Sequence, residues 1–264
     1  MTVAPAGRQV RIAILGLGEA GSEIARDLVA AGADVRGYDP AVVPPAGVSP
    51  RAGEAEAVAD ADVVLSVNTS HDAMTALVNA LPGLRPGTIW ADLNTASPGL
   101  KARLAAIPPP QVPVVDVALM AAVPGLGLRT PMVVSGEAAE EYAELLSGFG
   151  AHVTVQPGPA GAAISRKLLR SVFWKGVAAA AVEAVAAAER AGCGDWLRDN
   201  IRAELAGWDE TVLDQFLEGS RKHARRRADE MSAAAEQLRE LGIEPRIAAA
   251  THDQLAELRD APPD

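Results

Sequence analysis

The sequence has few aromatic side chains and almost no cysteine. Aromatic residues make up 3% of the 264 residues while hydrophobic residues make up 49%, so the core must be built from Ala, Val, Leu and Ile. The single cysteine, Cys193, cannot form a disulfide within the chain. This is typical of a protein in a reducing compartment, so we expect a cytoplasmic location.

Basic residues are outnumbered by acidic ones, 24 to 34. The formal net charge is −10 and the sequence pI is about 5.0. An acidic chain is poorly suited to follow a phosphate backbone or an anionic membrane, so we expect neither nucleic acid nor membrane as a partner. Its four histidines and one cysteine show no metal-ligand spacing, so no metal is expected.

Long hydrophobic runs are missing as well. Residues 1–8 contain no apolar stretch of signal-peptide length. The most apolar later segment, residues 177–188, is interrupted by Glu183 and is too short to span a bilayer. We therefore expect this segment to be a buried, alanine-rich helix.

A glycine-rich turn follows the first apolar run, residues 10–15, and precedes a helical pattern that ends near residue 31. This order of strand, Gly-x-Gly-x-x-Gly turn and helix is typical of dinucleotide binding. Gly16 permits the tight turn, Gly18 lets the backbone approach a pyrophosphate, and Gly21 lets helix and strand pack closely. The N-terminus of the helix then offers N–H groups to the phosphates.

An acidic residue, Asp39, ends the second predicted strand, residues 34–38. A carboxylate at this point accepts a hydrogen bond from an adenine-ribose 2′-hydroxyl and repels a 2′-phosphate. The sequence therefore predicts NAD as the cofactor. The nearby Arg36 keeps NADP possible.

Strands and helices alternate through the first part of the chain, which predicts an α/β doubly wound sheet whose late strands are antiparallel edge additions. The predicted strands are 10–15, 34–38, 62–67, 88–92, 112–117, 132–135 and 152–155, with helices at 20–31, 71–80, 98–106 and 138–148.

The pattern changes after a Gln-Pro-Gly-Pro break at residues 156–159. The predicted helices beyond it are 164–191, 195–205, 210–217, 220–241 and 246–258, without a convincing strand. We therefore expect a dinucleotide-binding domain over residues 1–157 and an all-α domain over residues 158–264. The second domain is expected to bind the substrate and to form the dimer contact.

Three motifs together resemble the β-hydroxyacid dehydrogenase superfamily, which includes 3-hydroxyisobutyrate and 6-phosphogluconate dehydrogenases. They are the glycine turn, Ser-Val-Asn-Thr-Ser at residues 66–70, and Ala-Asp-Leu-Asn-Thr-Ala-Ser-Pro at residues 91–98. The resemblance covers the whole chain. Its second half is similar to a less characterised branch, in which a phosphogluconate-dehydrogenase-like Rossmann domain carries a distinct C-terminal domain.

This resemblance implies an NAD(P)-dependent oxidoreductase. Hydride would pass between the nicotinamide and a hydroxy or keto substrate in a cleft between the two domains. Related enzymes form dimers through their helical domains, so a homodimer is expected. The resemblance also implies that Thr95 lies near the nicotinamide ring.

Short polar side chains at the carboxyl end of the third predicted strand, in Asn68, Thr69 and Ser70, are expected to contact the cofactor. Alternatively, Thr69 or Ser70 only caps the helix that follows. The full predicted cofactor site consists of Gly16, Leu17, Gly18, Glu19, Ala20, Gly21, Asp39, Asn68, Thr69, Ser70 and Thr95.

The candidate catalytic residue is Lys167, on the long helix just after the domain break. In the superfamily a lysine at this place acts as general acid and base, and Gly161 matches the glycine that precedes it. A lysine desolvated in a closed cleft exchanges its proton readily. Arg170, Ser171 and Trp174 follow at helical spacing and are predicted to contact the substrate. Alternatively, Lys167 is a solvated charge on an amphipathic helix.

Two departures from the superfamily concern the substrate. Ser171 stands where an asparagine is usual. The loop Asp-x-Pro-Val-Ser-Gly-Gly becomes Asp-Val-Ala-Leu-Met-Ala-Ala at residues 116–122, so Met120, Ala121 and Ala122 replace the groups that hold a carboxylate. A bulkier or less polar substrate fits this loop better.

Two other functions remain open. Imine reductases share the architecture, and the apolar loop favours that reading, but they usually replace the lysine found here as Lys167. A nucleotide-binding protein without catalysis is the other alternative.

One strongly basic run begins at Arg221 and ends at Arg227. It is a solvated helix face, a site for an anionic group on the substrate, or a surface for a second subunit.

Overall fold

The computed structural model describes residues 9–261 and divides into two compact units, Met1–Arg170 and Ser171–Asp264. Residues 1–8, considered above for a signal peptide, lie outside the described residues. The domain boundary expected at residue 157 lies just after the last strand. The first compact unit continues beyond it into the long helix, as far as Arg170.

The first unit is built on one eight-stranded sheet with the order β3-β2-β1-β4-β5-β6-β7-β8. The strands are β1 (Arg11–Leu15), β2 (Asp34–Tyr38), β3 (Ser49–Pro50), β4 (Val63–Ser66), β5 (Ile89–Asp92), β6 (Val114–Leu119), β7 (Met132–Gly136) and β8 (Val153–Val155). The first six strands pair in parallel, β7 is antiparallel to β6, and β8 is parallel to β7. The predicted doubly wound sheet with late antiparallel strands is confirmed.

Helices cover the sheet and continue the chain beyond it. They are α1 (Glu19–Ala30), α2 (Glu54–Val58), α3 (Ala73–Ala80), α4 (Pro98–Ala105), α5 (Ala139–Ser147), α6 (Ala162–Arg190), α7 (Gly194–Ala206), α8 (Val212–Lys222), α9 (Ala224–Glu240) and α10 (Arg246–Asp260). At the start of α4, the Ser97 hydroxyl accepts a hydrogen bond from Leu100 N, the N-cap expected of a Ser-Pro pair. Helix α3 begins at Ala73 rather than at residue 71.

Two apolar clusters lie on opposite faces of the sheet, because successive strand residues point to opposite sides. In β1, Ile12 and Ile14 join the cluster formed with α1 and α5, whereas Ala13 and Leu15 join the one formed with α2, α3 and α4. Each cluster holds one large buried aromatic residue, Tyr142 in the first and Trp90 in the second. Burial raises the pKa of the Tyr142 hydroxyl well above its ordinary value.

The prediction that residues 177–188 form a buried helix is wrong for the single chain. They are helical, but of this segment only Ala187 and Ala188 are buried, while Val182 is 72% exposed. The segment is nearly all alanine and valine. Its helix therefore has no polar face by which the sequence could distinguish a buried side from an exposed one. The helix is also longer than the segment that was considered: α6 has 29 residues, enough by length and composition to cross a membrane.

The one charge within that apolar segment has a structural partner in the second unit. The Glu183 carboxylate accepts hydrogen bonds from Ile247 N at 2.9 Å and Ala248 N at 2.8 Å, at the start of α10. An anion at a helix N-terminus accepts hydrogen bonds from the free N–H groups and is attracted by the positive end of the helix dipole. Glu183 therefore links α6 to the start of α10.

Candidate functional site

The three glycines of the turn after β1 occupy three different environments. Gly16 has a φ of +92°, and a Cβ there would lie 2.5 Å from the Val67 carbonyl oxygen. A Cβ on Gly21 would collide with the carbonyl oxygen of Gly16. By contrast, no atom lies within 4 Å of the position that a Cβ on Gly18 would take. Gly16 and Gly21 are therefore required by the turn itself, and Gly18 leaves open space for a ligand.

The N-terminus of α1 opens onto that space. Its N-cap is Gly18, which provides no side-chain hydrogen bond to the first turn. A groove of about 350 Å³ runs beside it and is lined by Leu17, Gly18, Glu19, Ser22, Glu23, Arg26 and Val42. Free N–H groups at the end of a helix with no covering side chain form a site for a pyrophosphate. The predicted turn residues fit a dinucleotide.

Asp39 lies at the end of β2 and faces the glycine turn. One of its carboxylate oxygens accepts a hydrogen bond from Leu17 N at 2.7 Å, and the other accepts from Ala41 N and Val42 N at 2.8 and 2.9 Å. The carboxylate therefore shapes the turn as well as standing where an adenine ribose binds in this kind of fold.

Arg36, which kept NADP possible in the sequence, is directed to other partners. Its guanidinium donates a hydrogen bond to the Ala59 carbonyl oxygen at 2.7 Å and lies 3.8 Å from the Asp34 carboxylate. Its side chain is only 16% exposed. It is therefore held within the protein rather than presented to a ligand phosphate.

The polar residues that follow β4 divide between the two alternatives. Asn68 lies against the glycine turn, because a Cβ on Gly16 would be 2.8 Å from Asn68 Oδ1. Thr69 instead closes the turn before α3: its hydroxyl accepts from Asp72 N at 3.2 Å and donates to the Asp72 carboxylate at 2.6 Å. Ser70 is exposed. The placement of Asn68 fits a cofactor contact, and that of Thr69 fits the local turn.

The candidate catalytic lysine meets the loop after β5. Lys167 Nζ donates a hydrogen bond to Thr95 Oγ1 at 3.0 Å, so residues far apart in the chain come together at the carboxyl end of β5. Gly161 makes this approach possible: its φ is +110°, and a Cβ there would lie 2.9 Å from the Pro98 carbonyl oxygen. The start of α6 thus packs closely on the start of α4.

The predicted substrate residues are less uniform in their placement. Met120 follows β6 and packs against a small buried cluster that includes Ala163 and Ile164. Leu168, which directly follows Lys167 in the sequence, packs against the same cluster. Ala121 and Ala122 are exposed in the loop that follows. This loop is held to α1, because Gly125 N and Leu128 N donate to the carboxylates of Glu23 and Asp27.

The remaining three predicted substrate residues lie on both sides of the point in the chain where the first unit ends and the second begins. Arg170 is exposed at the end of the first unit. Ser171 and Trp174 belong to the second unit, and Trp174 is 52% exposed and packs edge-to-face on Phe173. Their contact with a substrate stays a prediction.

Sequence reasoning missed a buried charged group in the first unit. The ammonium of Lys101 lies 2.9 Å from Asp92 Oδ2 and 3.1 Å from Asp116 Oδ1, and all three side chains are 0 to 1% exposed. A signal was present: Asp92 and Asp116 are acids within strands that are otherwise apolar. A buried carboxylate needs a partner. The two acids therefore indicated that a cation lies nearby, but the sequence did not show which residue supplies it.

The parallel sheet, the glycine turn and the acid at the end of β2 define a dinucleotide-binding protein of the Rossmann type. Residues 11–156 match the family described as the NAD binding domain of 6-phosphogluconate dehydrogenase. Residues 188–258 match the domain of unknown function DUF1932. The chain belongs to the 6-phosphogluconate dehydrogenase-like family of NAD-binding oxidoreductases, as the motifs indicated.

Individual relatives agree with this assignment. A conserved hypothetical protein from Sinorhizobium meliloti is 31% identical, with 97% of this chain and 92% of that chain covered and a TM-score of 0.63. A probable 3-hydroxyisobutyrate dehydrogenase of Mycobacterium bovis is 37% identical over 92 residues, which are 33% of this chain and about a third (31%) of that relative. A variant of an imine reductase from Myxococcus stipitatus, in complex with NAD+, shares the fold at 17% identity (TM-score 0.77, 95% of this chain, 93% of that chain).

The open space at Gly18 gives a direct test of the cofactor site. We expect Gly18→Ala to weaken NADH binding at least about tenfold, because a methyl group would occupy the path of the pyrophosphate. Stability should fall by no more than about 1 kcal/mol, since nothing lies within 4 Å of the new Cβ and the cost is only that of exchanging glycine for alanine at an N-cap. Calorimetric titration and chemical denaturation measure the two effects.

Gly53→Ala is the matched control, because Gly53 is also a helix N-cap with no atom within 4 Å of its Cβ position. It should lose a similar amount of stability and leave NADH binding unchanged. Equal NADH affinity in the two variants would contradict the assignment of the groove.

Proposed function

We propose that the chain catalyses hydride transfer between a nicotinamide cofactor and a hydroxy or keto substrate. The observation that carries the proposal is the hydrogen bond between Lys167 and Thr95 at the carboxyl end of β5. The glycine turn after β1 and Asn68 after β4 lie at the carboxyl ends of neighbouring parallel strands, which is the edge where open α/β sheets bind ligands. When bound, the cofactor supplies the hydride donor or acceptor.

In this proposal Lys167 manages the proton. Oxidation of an alcohol requires that its hydroxyl proton leave as the hydride departs, and a neutral lysine amine accepts it; reduction of a ketone runs the same transfer in reverse. Thr95 Oγ1 accepts a hydrogen bond from Lys167 Nζ and so fixes where the amine lies. Thr95 is therefore a positioning group as well as the predicted neighbour of the nicotinamide.

The loop after β6 supports an apolar substrate. It lacks the serine and the two glycines of the related loop, and Met120, Ala121 and Ala122 stand there instead. Met120 packs against Ala163 and Ile164 in the first turn of α6, and Leu168, the residue after Lys167, packs against the same cluster. Small side chains and a flexible thioether accommodate bulk but offer no donor to a carboxylate. We therefore propose a ketone or secondary alcohol that carries a sizeable apolar group.

The role of Lys167 is tested by Lys167→Met, which keeps the aliphatic length and removes the exchangeable proton. We expect turnover to fall at least about a hundredfold, the usual contribution of a general acid–base group, with cofactor affinity nearly unchanged. Steady-state assays on a panel of hydroxyacids, ketones and imines, with both cofactors, provide the substrate.

Lys175→Met serves as the control, since Lys175 is an exposed lysine on the same helix. If the Lys167 variant keeps turnover within a few-fold, the lysine is not the proton carrier. Imine reduction, with a different acid, would then explain the site better.

We further propose that NAD is preferred over NADP. Asp39 presents a carboxylate at the end of β2, and the groove beside the turn carries two more acids, Glu19 and Glu23. Arg36 is bound to Ala59 O and lies beside Asp34, so it does not offset that negative charge for an extra phosphate.

The cofactor preference is best measured as a ratio of dissociation constants for NADH and NADPH. Wild-type protein should bind NADH more tightly, and Asp39→Asn should move the ratio toward NADPH by about tenfold or more, since a charge-assisted hydrogen bond and a repulsion are both lost. The ratio cancels any damage to the turn through Leu17 N, which would affect both cofactors. Arg36→Met is the control and should leave the ratio unchanged; tighter NADPH binding by the wild type would refute the proposal.

A homodimer in the cytoplasm completes the proposal. The helical region leaves large apolar side chains uncovered, among them Val172 at 74%, Val182 at 72% and Trp196 at 66% exposure. Large apolar side chains that are exposed in this number are typical of a surface that another molecule covers. We propose that a second copy covers α6, and that the basic run from Arg221 to Arg227 lies beside this contact.

Light scattering should give twice the 27.2 kDa chain mass for protein purified without detergent. Val182→Glu places a charge in the covered face and should produce a monomer, because an unpaired buried charge is costly. Val43→Glu, at a position that is 87% exposed in the first unit, should leave the mass unchanged. A monomeric wild type would remove the dimer and the suggested role of the basic run.

A further inference from the structure

We propose that Lys101 is a positioning residue, which sets Lys167 at the right distance from Thr95. This inference rests on the proposed function, because it gives a purpose to the contact between Lys167 and Thr95. Lys101 itself touches neither residue. It acts through two buried carboxylates, one attached to each side of the contact.

The ammonium of Lys101 is enclosed between β5 and β6. Its Nζ donates to the main-chain oxygen of Asp92 at 2.7 Å and lies within 3.1 Å of carboxylate oxygens on both Asp92 and Asp116. The Lys101 side chain is 1% exposed. One main-chain oxygen and two carboxylate oxygens surround this ammonium, so a single cation lies between two buried acids.

On one side the group controls the loop that carries Thr95. Asp92 uses its second oxygen, Oδ1, to accept hydrogen bonds from the amide side chain and the main-chain N–H of Asn94. The Asn94 side chain also donates to Ser66 Oγ at 3.2 Å, at the end of β4. Because Thr95 is the next residue, its position depends on the orientation of the Asp92 carboxylate.

On the other side the group controls the helix that carries Lys167. Asp116 uses its second oxygen, Oδ2, to accept from Gly161 N at 3.0 Å and Ile164 N at 2.9 Å, in the first turn of α6. Ser135 Oγ accepts from Ala163 N at 3.0 Å and adds a third contact to that turn. Lys167 lies on the following turn, so its base is anchored by Asp116.

These contacts form a closed ring. It passes from Thr95 through Asn94 and Asp92 to Lys101, and from there through Asp116 and the start of α6 to Lys167, which returns to Thr95. In each carboxylate one oxygen faces Lys101 and the other holds a segment of the candidate site. The two outer oxygens therefore connect the ammonium to the loop of Thr95 on one side and to the helix of Lys167 on the other.

The charges explain why Lys101 is the element on which the ring depends. Two carboxylates and one ammonium leave one negative charge in a buried place, and the positive end of the α6 dipole lies against Asp116 to offset it. Without the ammonium, two buried carboxylates would face each other with no cation between them. Like charges at such a distance either separate or bind a proton. In both cases the outer hydrogen bonds that hold Thr95 and Lys167 would shift.

The test uses the chemical reactivity of Lys167, which requires neither a substrate nor a cofactor. The chain has four lysines, so brief acetylation followed by peptide mass spectrometry reads each of them, with exposed Lys175 and Lys222 as internal references. In Lys101→Met we expect Lys167 to react about two- to tenfold faster relative to these references, the change that corresponds to losing one hydrogen bond. Hydrogen exchange at Gly161 and Ile164 should accelerate in the same variant.

A double variant separates positioning from stability. Lys101→Met with Asp92→Asn removes the repulsion between the carboxylates, so folding stability should recover, while the bridge between the two segments stays broken. Lys167 should therefore remain as reactive in the double variant as in the single one. The double variant also carries the test if the single variant does not fold.

A merely structural role makes the opposite prediction, that Lys167 reactivity returns to the wild-type value together with stability. That result, or wild-type reactivity in a folded Lys101→Met protein, would overturn the inference. The outcome is independent of the proposed function, which fails only if Lys167→Met retains turnover. When a substrate is in hand, kcat should fall in the double variant with KM little changed, because the positioned amine acts in the chemical step.

Discussion

The first unit depends on a carboxylate in the middle of its sheet. Asp116 lies in β6 with its side chain fully buried, and it joins the ammonium of Lys101 to the first turn of α6. A charge in such a place is tolerated only when every oxygen has a partner. That requirement fixes where α4 and α6 begin relative to the sheet. Since the loop with Thr95 precedes α4 and Lys167 lies on α6, the same requirement brings the two together.

The two units follow different principles of stability. In the first, alternate residues of the strands fill two apolar clusters, and helices cover both faces of the sheet. In the second, the described helices bury mainly small side chains such as Ala228, Ala235 and Ala248, while larger apolar residues remain exposed. Burial of alanine gains little free energy. Polar contacts such as that of Glu183 with the start of α10 therefore have a large share in holding the second unit together.

Sequence reasoning succeeded where the signal was local. The strand, glycine turn and helix at the start of the first unit and the long helix of Lys167 follow from patterns within one or two elements. It missed β3 and α2, which are too short to show a period. It also misjudged residues 177–188, because an alanine-rich helix has the same sequence whether it is covered or exposed. The partners of Asp92 and Asp116 lie on other elements, and no local pattern names Lys101 as their cation.

The dual attachment of Asp39 limits how cofactor preference can evolve in this protein. Its carboxylate binds the main chain on both sides, at Leu17 in the glycine turn and at Ala41 and Val42 after β2. Replacing this acid to admit a 2′-phosphate removes at least one of the two oxygens that accept from those N–H groups. A substitution that changes the coenzyme preference therefore also removes hydrogen bonds from the turn, so the two properties cannot be altered independently at this position.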